Sequence, residues 1–439
     1  MMDQVDTTVT GTAGPVIRAD LGGDLSVLPW LSAGYTLPFA VLLVVGGRLG
    51  DIHGRRRMFL VGMAGFTLAS LACALAPSAG LLIGARAVQG AFGALLIPQG
   101  FGIVRTVFAA RQLGLAMSMF APSLAAASVC GPVLAGALIG ADLAGLGWRM
   151  VFLVNVPPGL LAMVGALAFL PRTQVRTVAR LDVAGVSVLA VASTLLVWPL
   201  VQGREWGWPW WCLVMIAAGL AGFGVFAAHQ RKTRCLPVVE PTLLTNRVFV
   251  AGLVVAVAFF AVVGGFLFAA GMFLQLGLGL SPLRAALTTA PLPLGIVAAV
   301  TASRWIRATR RKLLHAGMTV VAIGAAGFAG TVVPLGPHLP LWALAPSLVT
   351  VGFGMGLVFG PLYAVILAGV GEHELGSASG TLSAIQQFGG ALGISVLATV
   401  YFTMADPIVA VAIVAGIATL AMAGTHAAAF LLPREASRR

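Results

Sequence analysis

The sequence predicts an all-α, polytopic membrane protein, and three observations carry that prediction. First, 59% of the 439 residues are hydrophobic and only 9% are charged, with a mean hydropathy of +1.01, whereas soluble domains carry about 25% charged residues. A water-soluble globular protein is excluded. Second, apolar runs of the length a bilayer demands, about 20 residues each, recur along the whole chain. They lie at 26–46, 58–77, 79–103, 112–140, 149–170, 183–203, 209–228, 248–276, 283–303, 313–334, 340–369, 377–403 and 407–432. Third, the connections between these runs sort the basic residues by side.

The sorting depends on the amino end. Residues 1–19 are too short and polar for an ordinary span, and they read as the second half of a truncated first one. With that remnant as span 1, one side of the membrane collects Arg48, Arg55 to Arg57, Arg105, Arg111, Arg172, Arg176, Arg180, Arg231, Lys232, Arg234, Arg247, the basic run 304–312 and the arginines of the tail. The other side holds only Arg18, Arg149, Arg204 and Arg284. The positive-inside rule places the first set, and both chain ends, in the cytoplasm. The net charge of +13 is therefore a matter of topology and not of nucleic acid. A secretory leader is not expected, because the amino end lacks a basic start and a continuous apolar core.

The cysteines, Cys73, Cys130, Cys212 and Cys235, have neither CxxC nor metal spacing and read as packing residues. The histidines lie in or near connections or ends, none beside a nucleophile, and there is no GxxxxGK[ST] phosphate loop. The chain is therefore expected to be no enzyme, to carry no cofactor or metal, and to draw its energy from a gradient instead of ATP.

An ionisable group at the centre of a membrane helix costs about 2.5–3.5 kcal/mol on insertion scales, so it needs a partner, a wet cavity or a task. Two such residues remain once the connections are set aside, Asp6 and Arg86. Arg86 stands in LLIGARAVQGAFGALL, followed by Gln89, with Gly90, Gly93 and Ala94 keeping the helix surface small enough for close approach. Asp6 stands in DTTVTGTAGP, where a helix would place a carboxylate able to exchange a proton for a cationic ligand; a disordered tail is the alternative. In GGRLGDIHGRRR, residues 46–57, Gly47 and Gly54 would permit a tight turn, Asp51 would accept hydrogen bonds, and Arg55 to Arg57 would face lipid headgroups. In ASVCGPVLAGALIG, Gly131, Pro132 and Gly136 would make a flex point in the helix.

Together these motifs resemble the major facilitator superfamily, and within it the fourteen-span drug:proton antiporters of bacteria. GGRLGDIHGRRR matches that family's loop signature at Gly47, Leu49, Asp51, Gly54, Arg55 and Arg56, with Ile52 where a basic residue is usual. RAVQG matches the signature whose buried arginine is implicated in proton coupling, which places that role on Arg86, Gln89 and Gly90. Gly131, Pro132 and Gly136 match the antiporter signature, with Ala127 and Ala135 replacing glycines. Trp30 and Tyr35 in WLSAGYTL, WRMVFLVNVPPG from Trp148 to Gly159, and QQFGGALG from Gln386 to Gly393 match further. DTTVTGTAGPVIRADLG resembles the first-span signature and aligns Asp6 and Pro15, with Gly11 where asparagine is usual.

The resemblance implies two six-helix bundles with two extra central spans: residues 1–170, an inserted pair within 171–247, residues 248–432, and a cytoplasmic tail from 433 to 439. It implies a conformational latch in which Asp51 meets Arg55 and the start of span 13, where Ser377 is the expected helix N-cap. It also implies a midplane substrate cavity, to which Trp30, Tyr35, Phe260 and Met272 are candidates. The expected function is proton-driven export of lipophilic small molecules across the bacterial cytoplasmic membrane by a monomer. A dedicated exporter of one endogenous metabolite and a truncated, non-transporting membrane protein are the alternatives.

Overall fold

In the computed structural model, residues 2–107, 120–170 and 181–431 are described, apart from 234, 236, 304, 306, 307, 372 and 373. The chain is helical almost throughout. Its helices are α1 (Met2–Leu21), α2 (Val27–His53), α3 (Arg55–Ala74), α4 (Ala79–Val107), α5 (Phe120–Ala141), α6 (Met150–Leu153), α7 (Val156–Phe169), α8 (Val183–Gln202) and α9 (Trp210–Gln230). After these come α10 (Pro241–Thr245), α11 (Arg247–Met272), α12 (Pro282–Thr289), α13 (Pro291–Ser303), α14 (Arg310–Leu335), α15 (Ala345–Leu367), α16 (Leu375–Thr403) and α17 (Pro407–Ala428). Among the described residues, 12 helical stretches are long and apolar enough to cross a membrane. They coincide with the apolar runs of the sequence except for 112–140, whose first part lies outside the described residues.

The chain divides into two compact units, Met1–Pro241 with Ser379–Phe388, and Thr242–Ala378 with Gly389–Arg439. Helices α8 and α9 belong to the first unit, where Val197 and Val201 pack with Ala33 and Leu37 of α2. In that unit the core joins Val9, Ala13 and Ile17 of α1 to Leu31, Leu82, Trp148, Val151 and Phe152. Large apolar side chains such as Leu161, Phe169 and Leu213 point outward, as expected where hydrocarbon is the solvent.

Local chemistry sets the helix boundaries. Gly54 separates α2 from α3 with φ +89, a left-handed backbone that favours glycine. The expectation that Gly47 shares in this turn is corrected: Gly47 lies inside α2. The glycines before the turn serve a close crossing instead. A Cβ at Gly46 would stand 2.7 Å from the Ala94 carbonyl oxygen of α4, and Gly50 is covered by the Gln99 side chain, whose amide donates to the Gly46 carbonyl at 2.6 Å. Ser377 is likewise corrected. Glu374 occupies the N-cap of α16, without a side-chain capping bond, and Ser377 falls within the first turn.

Asp182 caps α8 by accepting from the Gly185 amide at 3.0 Å. Its other oxygen accepts from Gln230 at 2.7 Å, and His229 Nε2 stands 2.8 Å from the capping oxygen. Burial works against this carboxylate, but the hydrogen bonds from His229, Gly185 and Gln230 hold its pKa below the ordinary value. Asp182→Ala is expected to lower stability by about 1–2 kcal/mol, measured as a drop in thermal unfolding midpoint in detergent. Because the folded-state pKa is depressed, the wild-type advantage is expected in full above the unfolded carboxylate value and to be lost as pH falls through the folded one.

Candidate functional site

Four helices and one helix N-cap of the first unit converge on Asp6. The carboxylate is 1% exposed, Arg86 1%, Gln89 0% and Asn155 2%. Arg86 NH1 donates to Asp6 Oδ2, forming an ion pair between α1 and α4. Asp6 Oδ1 accepts from Gln89 Nε2 at 2.8 Å and from Asn155 Nδ2 at 2.7 Å. Gln89 Nε2 also donates to Ser70 Oγ of α3 at 2.7 Å, and Gln89 Oε1 accepts from Arg86 at 2.7 Å and from the Cys73 thiol at 3.7 Å. The Arg86 Nε donates to the Leu31 carbonyl of α2 at 3.3 Å, and the guanidinium carbon lies 4.3 Å from the centre of the Tyr35 ring.

The arrangement is a charge pair in which both carboxylate oxygens and several guanidinium donors are satisfied. That is the condition under which buried ions are tolerated at all. The small residues predicted beside Arg86 make it possible. A Cβ at Gly90 would overlap the Tyr35 carbonyl, and one at Gly34 would lie 3.1 Å from Ile83, so α2 and α4 approach closely enough for Arg86 to reach across both α2 and α1. The alternative of a disordered amino end does not hold, because α1 is a helix whose Val9, Ala13 and Ile17 are fully buried.

Asn155, Ser70 and Cys73 complete the site and were not singled out by sequence reasoning. Asn155 was legible in part, as the last polar residue of WRMVFLVN. That motif holds α1 at two places: Asn155 on Asp6, and Trp148 with Arg149 on Asp20, at 2.8 Å and 3.0 Å. Ser70 and Cys73 carried no signal, since a serine or cysteine in an apolar helix is commonplace.

The other predicted residues fall into place as follows. Gly131 lies against α1, where a Cβ would overlap the Thr8 hydroxyl; Pro132 stands next to it inside α5, and Gly136 is buried. Arg55 fills the space a Cβ at Gly102 of α4 would take, and Arg56 donates to the Leu167 carbonyl of α7 at 2.7 Å. The Asp51 side chain lies outside the described residues. Trp30 packs edge-on against Trp198 with ring centres 5.2 Å apart and donates to Gln202 at 3.1 Å, so it secures α8. Tyr35 belongs to the charge cluster. In the second unit Phe260 stacks on Phe359 with centres 5.7 Å apart, and Met272 is buried at the end of α11.

Residues 1–394 match the family model of the Major Facilitator Superfamily. The chain belongs to that superfamily. It is 44% identical over 407 residues to a probable actinorhodin transporter of Streptomyces coelicolor, covering 92% of this chain and 70% of the relative. It is 36% identical over 405 residues to the cephamycin export protein of Amycolatopsis lactamdurans, covering 90% and 81%. Among solved structures, an auto-inhibited POT family peptide transporter superposes with a TM-score of 0.70 at 13% identity, covering 100% of this chain and 97% of that one; this likeness concerns the fold. The superfamily member described here is thus a multi-pass membrane transporter and not an enzyme.

Removing the Asn155 amide leaves Asp6 short of a donor in a buried site, where a lost hydrogen bond costs about 1–3 kcal/mol. Asn155→Ala is expected to destabilise this transporter by that amount in thermal unfolding, and Asn155→Asp by more, because it sets a second carboxylate against Asp6.

Proposed function

We propose that this transporter exports lipophilic small molecules, antibiotics or drugs, across the bacterial cytoplasmic membrane in exchange for protons. The observation that carries the reading is the buried Asp6–Arg86 pair between two helices of a membrane-embedded bundle. Proton on Asp6 cancels its charge and breaks the pair, leaving Arg86 with Gln89, the Leu31 carbonyl and the Tyr35 ring. Loss of the proton restores the pair and draws α1 back onto α4. The cluster thereby has two discrete arrangements, which is what a proton needs in order to bias alternating access. One proton moving through 100 mV supplies about 2.3 kcal/mol, enough for roughly a fiftyfold gradient.

The named relatives support export of antibiotics as the task. That the 44% identical relative is named for a single antibiotic favours a second reading, a dedicated exporter of one metabolite. In either case the twelve-helix core carries the inserted pair α8 and α9, both chain ends face the cytoplasm, and Trp30, Tyr35, Phe260 and Met272 border the substrate path. Asp51, Gly54, Arg55 and Arg56 act as the first unit's part of the cytoplasmic latch, with Gly131, Pro132 and Gly136 as the flex point in α5.

Breaking a buried pair from one side costs about 3–5 kcal/mol. In proteoliposomes with an imposed pH gradient, Arg86→Gln and Asp6→Asn are therefore each expected to cut gradient-driven movement of a lipophilic dye more than about tenfold. Arg86→Lys, which keeps the charge and loses the planar fork, should fall between them and the wild type. Undiminished gradient-driven movement in correctly inserted Arg86→Gln protein would remove the coupling assignment.

A further inference from the structure

From residue 241 to residue 371 the chain contains neither aspartate nor glutamate. Within that stretch the connection from α13 to α14 and the first turn of α14 carry Arg304, Arg307, Arg310, Arg311 and Lys312. Thr309 caps α14, its hydroxyl accepting from the Lys312 amide at 3.4 Å, so Arg310, Arg311 and Lys312 are the first three residues of a 26-residue helix. The positive end of the helix dipole disfavours cations there. The described carboxylates of the second unit are engaged elsewhere: Glu374 accepts from Thr242 and from the Gly371 amide, and Asp406 caps the start of α17.

Arg311 is used inside the protein. It donates to the Phe430 carbonyl at 3.1 Å, in the turn that follows α17, and the Phe430 ring also lies against His315 with centres 4.3 Å apart. Arg310 and Lys312 are exposed instead, and Trp305 is 83% exposed. Cations and an indole at the rim of a membrane bundle suit the headgroup layer, where phosphate meets the cations and the amphipathic ring sits between hydrocarbon and water.

We propose that Trp305, Arg310 and Lys312 form a docking surface for anionic phospholipid. Arg310 and Lys312 stand two positions apart and leave the helix on different sides, so the surface gathers headgroups around the helix end and does not enclose a single lipid. The lipid phosphates supply the negative charge that the sequence withholds from this end of α14. The corresponding basic residues of the first unit have protein partners: Arg48 pairs with Glu240, and Arg56 donates to the Leu167 carbonyl. The docking depends on the bundle being embedded in a bilayer and not on the proton cycle.

The test titrates purified protein in neutral detergent with dibrominated phosphatidylglycerol and follows quenching of the emission that Trp305→Phe removes. Half-maximal quenching is expected at a lower lipid fraction than with dibrominated phosphatidylcholine, and added salt should erase the difference. Each basic side chain removed is expected to raise the phosphatidylglycerol needed by about fivefold, in Lys312→Gln once and in R310Q/K312Q twice over, with phosphatidylcholine unaffected. R231Q/K232Q, which removes two exposed cations of the first unit, should leave the Trp305 signal in place. Equal quenching by the two lipids overturns the proposal, and so does an unshifted midpoint in R310Q/K312Q. An equal shift in R231Q/K232Q also overturns it, because the attraction would then be one of net charge alone. Displacement of the lipid by an equal concentration of inorganic phosphate overturns it in favour of a free-phosphate site. Should the double variant fail to assemble, Lys312→Gln decides by its own shift. Arg86→Gln is expected to leave every midpoint where it is, so failure of proton coupling and failure of lipid docking give different results.

Discussion

One buried ion pair, Asp6–Arg86, ties together the helices at the amino end of the chain. Taking a carboxylate and a guanidinium out of water costs several kcal/mol per ion even after relaxation, and the low-dielectric surroundings return that cost only when each lone pair and N–H group has a partner. Asp6 has three such partners and Arg86 has Asp6, Gln89 and the Leu31 carbonyl. The positions of α1, α2, α3, α4 and the turn before α7 are thereby coupled through one cluster. The small residues around it follow from that requirement: only where Gly90 and Gly34 lack a Cβ do the helix backbones come near enough for the side chains to meet.

The physical logic of the membrane explains why so much of this was legible in the sequence. In hydrocarbon a long apolar run has few alternatives to a helix, and the runs accordingly gave the described helices with little error. For the same reason Arg86 stood out, since a charge in such a run is an anomaly that demands a partner, while Asp6 was legible only once residues 1–19 were read as part of a span. What pattern alone could not supply was the third dimension. Asn155 lies 149 residues from the carboxylate it serves, and nothing about an asparagine at a helix start distinguishes a cap from a distant donor. Here Asn155 is the N-cap of α7 without bonding its own helix, which freed its amide for Asp6.

The two corrections have a common cause. Gly47 and Ser377 were read by local chemistry, glycine as a turn former and serine as a cap, and in both places tertiary packing decided otherwise. The helix of α2 continues through Gly47 because leaving it would surrender the crossing with α4 at Gly46 and Gly50. The helix of α16 starts early enough to set Glu374, not Ser377, at its head, where that carboxylate can accept from Thr242. Local rules are reliable where a residue has nothing better to do, as at Gly54 and Asp182, and yield where a neighbouring helix competes for the same atoms.

This competition bears on how a small chemical event in the cluster is felt far along α1. The helix is held at Asp6 by Asn155, Gln89 and Arg86, and at Asp20 by Trp148 and Arg149. Between these points Val9, Ala13 and Ile17 are buried in an apolar cluster, and the buried Thr10 turns its hydroxyl back onto the Asp6 carbonyl. A rod pinned at both ends by charge-assisted hydrogen bonds, with an apolar cluster between them, can respond to release at one end by pivoting about the other. Loss of the bonds at Asp6 would release the end whose Thr8 lies against Gly131 of α5, while Asp20 would keep its bonds to Trp148 and Arg149. Because the apolar contacts are non-directional, they permit such a rotation at small cost, whereas interdigitated polar contacts along the same face would forbid it. The bonded carboxylates Asp6 and Asp20, with none between, thus fix this helix at its two ends, which is where a change of charge would be felt.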